Sequence, residues 1–462
     1  MAFLSLLSDV VLEIVQRLDL ADAIALVSTC TILRQYLSEK SFWLPALTRA
    51  RQLQMHPIAV PIGQDLTKLT AIEMRQTGMR THRLIKNWLS ELPKPESVRE
   101  MYMDAMAEII VIPGTGLVIA HGPAFVACWD ISTELCVGRL ALDRNLVVES
   151  ASFEQYGTVM LGLFSPNATI FRVAGVCVDY HDRAAVTISL ALTHAFGFPR
   201  LHFHKASQVS VDNSNVRVIA TTSEPLQYHL FSVSFSGEEL VVQKIFARGR
   251  CPFRTDVPIT PEHKNPQKTR ASSPWGAPVV SIIPSPNGPY FLRHMQNYAD
   301  IAHLPARISQ PKPSIIQVPL EYHNKSIQLK KYTPSAPTAD VVNIAVGDSR
   351  VEFWHASPTA EGQLVFGNAA SYTFGWPSAL GWPSNNAIGG ASGIYTLLGV
   401  SGHPESPLRL LRYVPGGPPV LRELRIPVKT LYINEGRLAL DDHLGLILSL
   451  RGDGKLCIVS YA

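Results

Sequence analysis

The side chains best equipped for chemistry are few and scattered. At 440–443 the run "LDDH" sets Asp441, Asp442 and His443 side by side, two carboxylates and an imidazole able to pass a proton. At 202–204 the run "HFH" places His202 and His204 on one face of an extended chain, the placement of two metal ligands. The histidine pair has no third ligand in evidence. The aspartates fall where two strand-like runs meet, and Asp in such turns bonds the local backbone. "GDSR" at 347–350 and "RGDGK" at 451–455 read as hairpin turns for the same reason. There is no G-x-S-x-G, no P-loop and no H-E-x-x-H. Six cysteines, at 30, 128, 136, 177, 251 and 457, make no C-x-x-C pair, so they read as reduced, buried thiols. No catalytic residue, cofactor or metal site is assigned, and the chain is expected not to be an enzyme.

Composition narrows the partners. The 462 residues carry 41 Lys and Arg against 37 Asp and Glu, a formal charge of +4. That near balance, with basic residues not interleaved with aromatics, speaks against nucleic acid. No run of about 18 uncharged apolar residues occurs, so no membrane span is expected. The opening "LSLLSDVVLEIVQRLDLADAIALVSTC" lacks a basic leader, and Asp9 and Glu13 interrupt it, unlike a signal peptide. A soluble protein of the cytoplasm or nucleus is expected.

The elements that must position any site fall into two regions. Up to about residue 92 the apolar period is helical. Leu7, Val11, Ile14 and Leu18 share one face, and Ala23, Val27, Cys30, Leu33 and Leu37 share a second. Asp19 and Asp22 between them are N-cap candidates. "SEKSFWLPALTRARQL" predicts a short helix interrupted at Pro45. Residues 64–92 predict an amphipathic connecting helix ended by "PKPES". From residue 100 the period becomes that of strands. "AEIIVIPGTGLVIAHGPAFVACWDISTELCVGRLAL" gives four short strands separated by Gly- and Pro-rich turns, and similar pieces recur about every 40 to 50 residues to the C-terminus. That repeat predicts a β-propeller of roughly seven blades, with six to eight compatible, whose last strand helps close a ring.

Two stretches fit no blade: 247–278 and the proline-punctuated 305–340, in which "SIIQVPL" could be a strand. The first carries Arg248, Arg250, Arg254, Lys264, Lys268 and Arg270, a possible substrate-contacting loop for an acidic or phosphorylated partner.

"SLLSDVVLEIVQRLDLADAIALVSTCTILRQYLSEKSFW" resembles an F-box, the helical module that docks on the Skp-family adaptor of cullin ubiquitin ligases. Leu6 matches the opening leucine; Asp9, Val10, Leu12, Ile14, Val15 and Leu18 match the first helix. Leu26, Cys30, Leu33 and Leu37 match the second, and Trp43 the closing aromatic. Leu7 and Ser8 stand where the family has proline. Followed by a strand repeat in which "CWDI" at 128–131 is the one plain Trp-Asp ending, the layout is similar to fungal F-box proteins with a divergent WD-like propeller. The expected architecture is therefore α+β and multidomain: an F-box over 1–50, a helical linker over 51–99 and an all-β propeller over 100–462. The resemblance implies a substrate-recognition subunit of an SCF-type (Skp–cullin–F-box) ubiquitin ligase. Its adaptor-binding residues would be the twelve just named, its partners the Skp-family adaptor, the cullin complex and a protein substrate. The alternatives are a propeller interaction scaffold unconnected to a ligase, and an enzyme with its site in the propeller's central pit.

Overall fold

The computed structural model describes residues 8–52, 56–103, 108–122, 124–143, 146–166, 170–197, 203–211, 215–222, 227–234, 241–247, 280–283, 290–294, 298–303, 315–319, 340–346, 350–358, 364–373, 385–400, 408–414, 417–426 and 438–462. Five α-helices come first: α1 (Ser8–Arg17), α2 (Leu20–Ser28), α3 (Thr31–Arg34), α4 (Lys40–Gln52) and α5 (Ala71–Leu89). A β-rich region follows.

Local chemistry sets the helix ends. Asp19 caps α2, its carboxylate accepting from Asp22 N at 2.7 Å. Thr70 and Glu73 form a reciprocal capping box at the start of α5, so the helix begins at Ala71 and not near 64 as the apolar period predicts. Residues Leu66–Lys68 instead make one 3-10 turn capped by Asp65. The break expected at Pro45 does not occur: α4 runs through it from Lys40 to Gln52.

Residues Val11, Val15, Ala23, Val27, Phe42, Trp43, Leu47 and Met74 make one core among the helices. Trp43 is wholly buried, donates from Nε1 to Leu37 O at 2.8 Å, and lies flat against α5 at Gly78. A Cβ at Gly78 would fall 2.3 Å from the Trp43 ring, which explains a glycine in mid-helix.

Among the described residues the β-region holds seven antiparallel sheets, six of four strands and one of three, and all but one are built from consecutive strands. Sheet I comprises Glu108–Ile112, Leu117–Gly122, Phe125–Asp130 and Leu135–Ala141, the four strands expected of that stretch. Sheet II spans 147–197, III 203–247, IV 280–319, V 340–373 and VI 385–423. Strand Ile315–Pro319 lies in the stretch that fitted no blade, yet it pairs with Tyr298–His303 as the last strand of sheet IV. In sheet VII the order, counted from the edge that corresponds to the first strand of the other sheets, is Leu438–Asp441, Leu446–Leu450, Lys455–Ser460, Ser97–Tyr102, so the first strand of the β-region completes the last sheet.

Sheets pack face to face. In strand Leu117–Gly122 every residue is buried. Leu117 and Ile119 point into a core shared with sheet II (Val159, Leu161, Val176), and Val118 and Ala120 into one shared with sheet VII (Leu446, Leu448, Ile458). The two-residue strand period thus yields a continuous apolar run when both faces are covered.

The helices are bound to these sheets twice. Residues 56–63 run in an arc over the turns that join the first two strands of sheets VI, VII, I and II. His56 and Pro57 line a cavity with Ser392, Ile58 O bonds His443, Val60 O meets Gly114, and Gly63 meets Tyr156. Gly114 has φ +75°, and a Cβ on it would fall 2.1 Å from Val60 O. Helix α5 then descends alongside sheets VI and VII. Leu84 and Trp88 join their core, Trp88 stacks edge-on with Tyr395 and Tyr461, and Asn87 Nδ2 donates to Tyr461 O at 2.9 Å.

The substitution Gly78→Ala weighs two opposed effects. Helix propensity favours alanine by about 1 kcal/mol, whereas displacing a buried indole costs about 1–3 kcal/mol or more. Net destabilisation in urea unfolding is expected; a stabilised variant would show that Trp43 has room to move.

Candidate functional site

The surface that could hold a partner is the outer side of α1–α3. Along α1, Val11 and Val15 face inward, while Val10 and Ile14, also four residues apart, form an outward apolar ridge. Val10 is 40% exposed and Ile14 half-buried, with exposed Asp9 beside them. Ile32 on α3 adds a third apolar side chain, 51% exposed. The sequence pattern missed Ile32 because it read a single apolar face from Ala23 to Leu37. The chain instead leaves α2 at Ser28, passes through extended Cys30 and restarts at Thr31, which turns Ile32 outward.

The twelve residues that the F-box resemblance assigns to an adaptor are thus divided. Asp9, Val10 and Ile14 face outward. Leu12, Leu18, Leu26, Cys30 and Leu37 are half-buried against the helical core. Val15, Leu33 and Trp43 are inside it, none more than 4% exposed. Leu6 lies outside the described residues, as do Arg248, Arg250, Arg254, Lys264, Lys268 and Arg270. His202 and the side chain of His204 are likewise outside them.

The Asp441–Asp442–His443 cluster is a seam. Asp441 ends the first strand of sheet VII; its Oδ1 accepts from the N–H groups of His443 and Leu444, both at 3.1 Å, and its Oδ2 from Gly114 N of sheet I at 3.1 Å. Asp442 accepts from the N–H and hydroxyl of Ser392 in sheet VI. Two adjacent carboxylates therefore hold the turns of three neighbouring sheets. Burial pushes each up to about 6, against these donors. His443 bonds Ile58 O through Nδ1 at 2.8 Å and is held neutral by burial. The adjoining cavity, lined by Arg51, His56, Ser392 and His443, measures about 40 Å³, room for a water but not for a substrate. Among the described residues no three His, Cys, Asp or Glu side chains come together as a metal site, and no helix is long and apolar enough to cross a membrane.

No family model matches the sequence, and no curated relative does. Solved structures do match in part. The β-propeller domain of Cps50 (Swd1) from Myceliophteria thermophila is 13% identical, covering 79% of this chain and 99% of that one, with a TM-score of 0.47. The WD40 domain of fission-yeast SCAP (12% identity, 79% and 98%, TM-score 0.36) and the C-terminal WD40 domain of Sif2 (10%, 79% and 98%, 0.39) are similar at lower scores. At such scores nothing of these proteins transfers, and the architecture rests on the strand order itself.

His56 gives the junction between helices and sheets a pH dependence. Burial and the neighbouring Arg412 lower it from 6.5 to about 4. The unfolded chain binds a proton there that the folded chain refuses, so stability present above pH 6.5 is lost as pH falls toward about 4. The whole span corresponds to about 3 kcal/mol. Asp441 and Asp442 act oppositely, losing stability as pH rises from about 4 to about 6, so the test is a difference. The variant His56→Gln should lose less stability than the wild type between pH 6.5 and 4; parallel curves would mean that His56 is hydrated in the folded chain.

Proposed function

We propose that the chain is the substrate-recognition subunit of an SCF-type ubiquitin ligase. In this reading α1–α3 dock on a Skp-family adaptor, and the sheets form the blades of one closed seven-bladed propeller that presents a protein substrate. The coarser statement, a β-rich interaction scaffold carrying a helical module, needs only the architecture. The observation that favours the ligase is the Val10–Ile14 ridge with Ile32 beside it, apolar side chains left outward on a module that otherwise buries its apolar faces. The mechanism is proximity. A receptor fixed to the adaptor at one end and to a substrate at the other raises the effective concentration of substrate lysines near the conjugating enzyme. The fixed seating of α5 suits that task, because a rigid receptor presents its substrate at a set distance. No covalent step falls to this chain.

A scaffold unconnected to a ligase is the second reading. It is favoured by Val15, Leu33 and Trp43 lying within the chain's own core and by Leu7 and Ser8 where an F-box has proline.

Co-purification with the host's Skp-family adaptor separates the two. The wild type should form a stoichiometric complex, and the double variant Val10→Asp, Ile14→Asp should lose it by about a hundredfold or more while keeping its helical circular dichroism, since neither position belongs to the helical core. Failure of the folded wild type to bind would leave the scaffold reading.

A further inference from the structure

A cavity of about 290 Å³ opens between the first strands of four sheets: Glu108–Ile112 (I), Val147–Gln155 (II), Asn385–Gly389 (VI) and Leu438–Asp441 (VII). Its walls are apolar, with Ile110, Val148, Phe153, Ile388 and Leu440 among them. The volume is close to the lower end of ordinary ligand sites. Two polar side chains interrupt the apolar lining. Glu108 is 67% exposed, and the His121 side chain only 3%, with its Nε2 3.4 Å from Glu108 Oε2. That pair lacks hydrogen-bond geometry, so His121 Nε2 is a buried polar atom still in need of a partner.

Topology gives the cavity a direction. The far end of strand Glu108–Ile112 leads into the Pro113–Gly116 turn, which lies under the 56–63 arc. Glu108 begins the same strand, about 13 Å away at roughly 3.3 Å per residue. The carboxylate therefore stands on the side facing away from the arc and the helices.

We propose that this cavity receives a lysine or arginine side chain from an extended segment of the protein that the chain recognises. Among the described residues lining it, Glu108 alone has a formal charge, counting histidine as neutral. A long cationic side chain sets an apolar stem against Ile110, Phe153 and Leu440 and carries its charge to Glu108. The proposal deepens the propeller reading above and rests on it. It gives the recognised segment a basic residue and puts recognition on the face opposite the adaptor-docking helices.

The test is fluorescence anisotropy of labelled pentapeptides Gly-Gly-X-Gly-Gly, with X lysine, arginine, norleucine or glutamate, titrated with the purified full chain in the absence of any adaptor. The lysine or arginine peptide should bind about tenfold more tightly, or better, than norleucine and glutamate. Glu108→Gln should reduce it to the norleucine level, and Glu108→Lys should transfer the preference to the glutamate peptide. Glu108 is exposed enough for both variants to fold, and thermal melts check that they do. Equal affinity for all four peptides, no binding up to about 1 mM, or an unchanged preference in Glu108→Gln would overturn the proposal. Adaptor capture is measured separately, so failure here leaves the docking of α1–α3 unaffected, and failure there leaves this site standing.

Discussion

One helix must satisfy two hydrophobic cores at once. Through Met74 and Gly78, α5 closes the helical core around Trp43; two turns further on, through Leu84 and Trp88, it enters the core of sheets VI and VII. Fully burying a side chain of this size is worth about 1.5–3 kcal/mol, and each of these residues is at most 2% exposed where it is apolar. A helix is rigid over that length, so the two cores cannot turn relative to each other without one of them losing its contacts. Any docking surface on α1–α3 and any recognition surface on the sheets therefore keep a fixed geometry. A flexible tether would give reach in place of that fixed geometry.

The arc of residues 56–63 and the carboxylates beneath it answer a second demand, namely how neighbouring sheets are held at their turns. Burying two aspartates side by side is costly. The cost is offset because Asp441 and Asp442 each accept several hydrogen bonds, from backbone N–H groups in three sheets and from the Ser392 hydroxyl. Residues that look like an acid–base set in the sequence are thus consumed in binding turns together. The adjoining cavity is too small for a substrate.

Much of this was legible in the sequence, and the failures have physical causes. The four strands of sheet I could be placed because Gly114, Gly116 and the Asp130 turn punctuate an apolar run. The helix-to-strand change near residue 100 could be placed because the period changes. The start of α5 was read seven residues early, at 64 in place of Ala71, since apolar spacing continued past a cap that only Thr70 and Glu73 reveal. The first half of strand Ser97–Tyr102, up to residue 99, was read as linker because the strand pairs with Lys455–Ser460, more than three hundred and fifty residues away, and no local pattern carries that information. Ile32 was missed because its exposure depends on the break after α2. Glu108 and His121 were not singled out because they meet only through the pairing Glu108↔His121 across a hairpin. That Asp441 and Asp442 sit in a turn was read correctly; that they reach into two other sheets could not be.

Hydrogen–deuterium exchange with and without the Skp-family adaptor measures directly where an adaptor touches the chain. Added protection should be confined to residues 8–34, with α5 and the turns at 113–116 and 442–445 already slow to exchange in the free chain. Unchanged exchange over 8–34, or new protection confined to the sheets, would contradict the assignment of α1–α3 as the docking module.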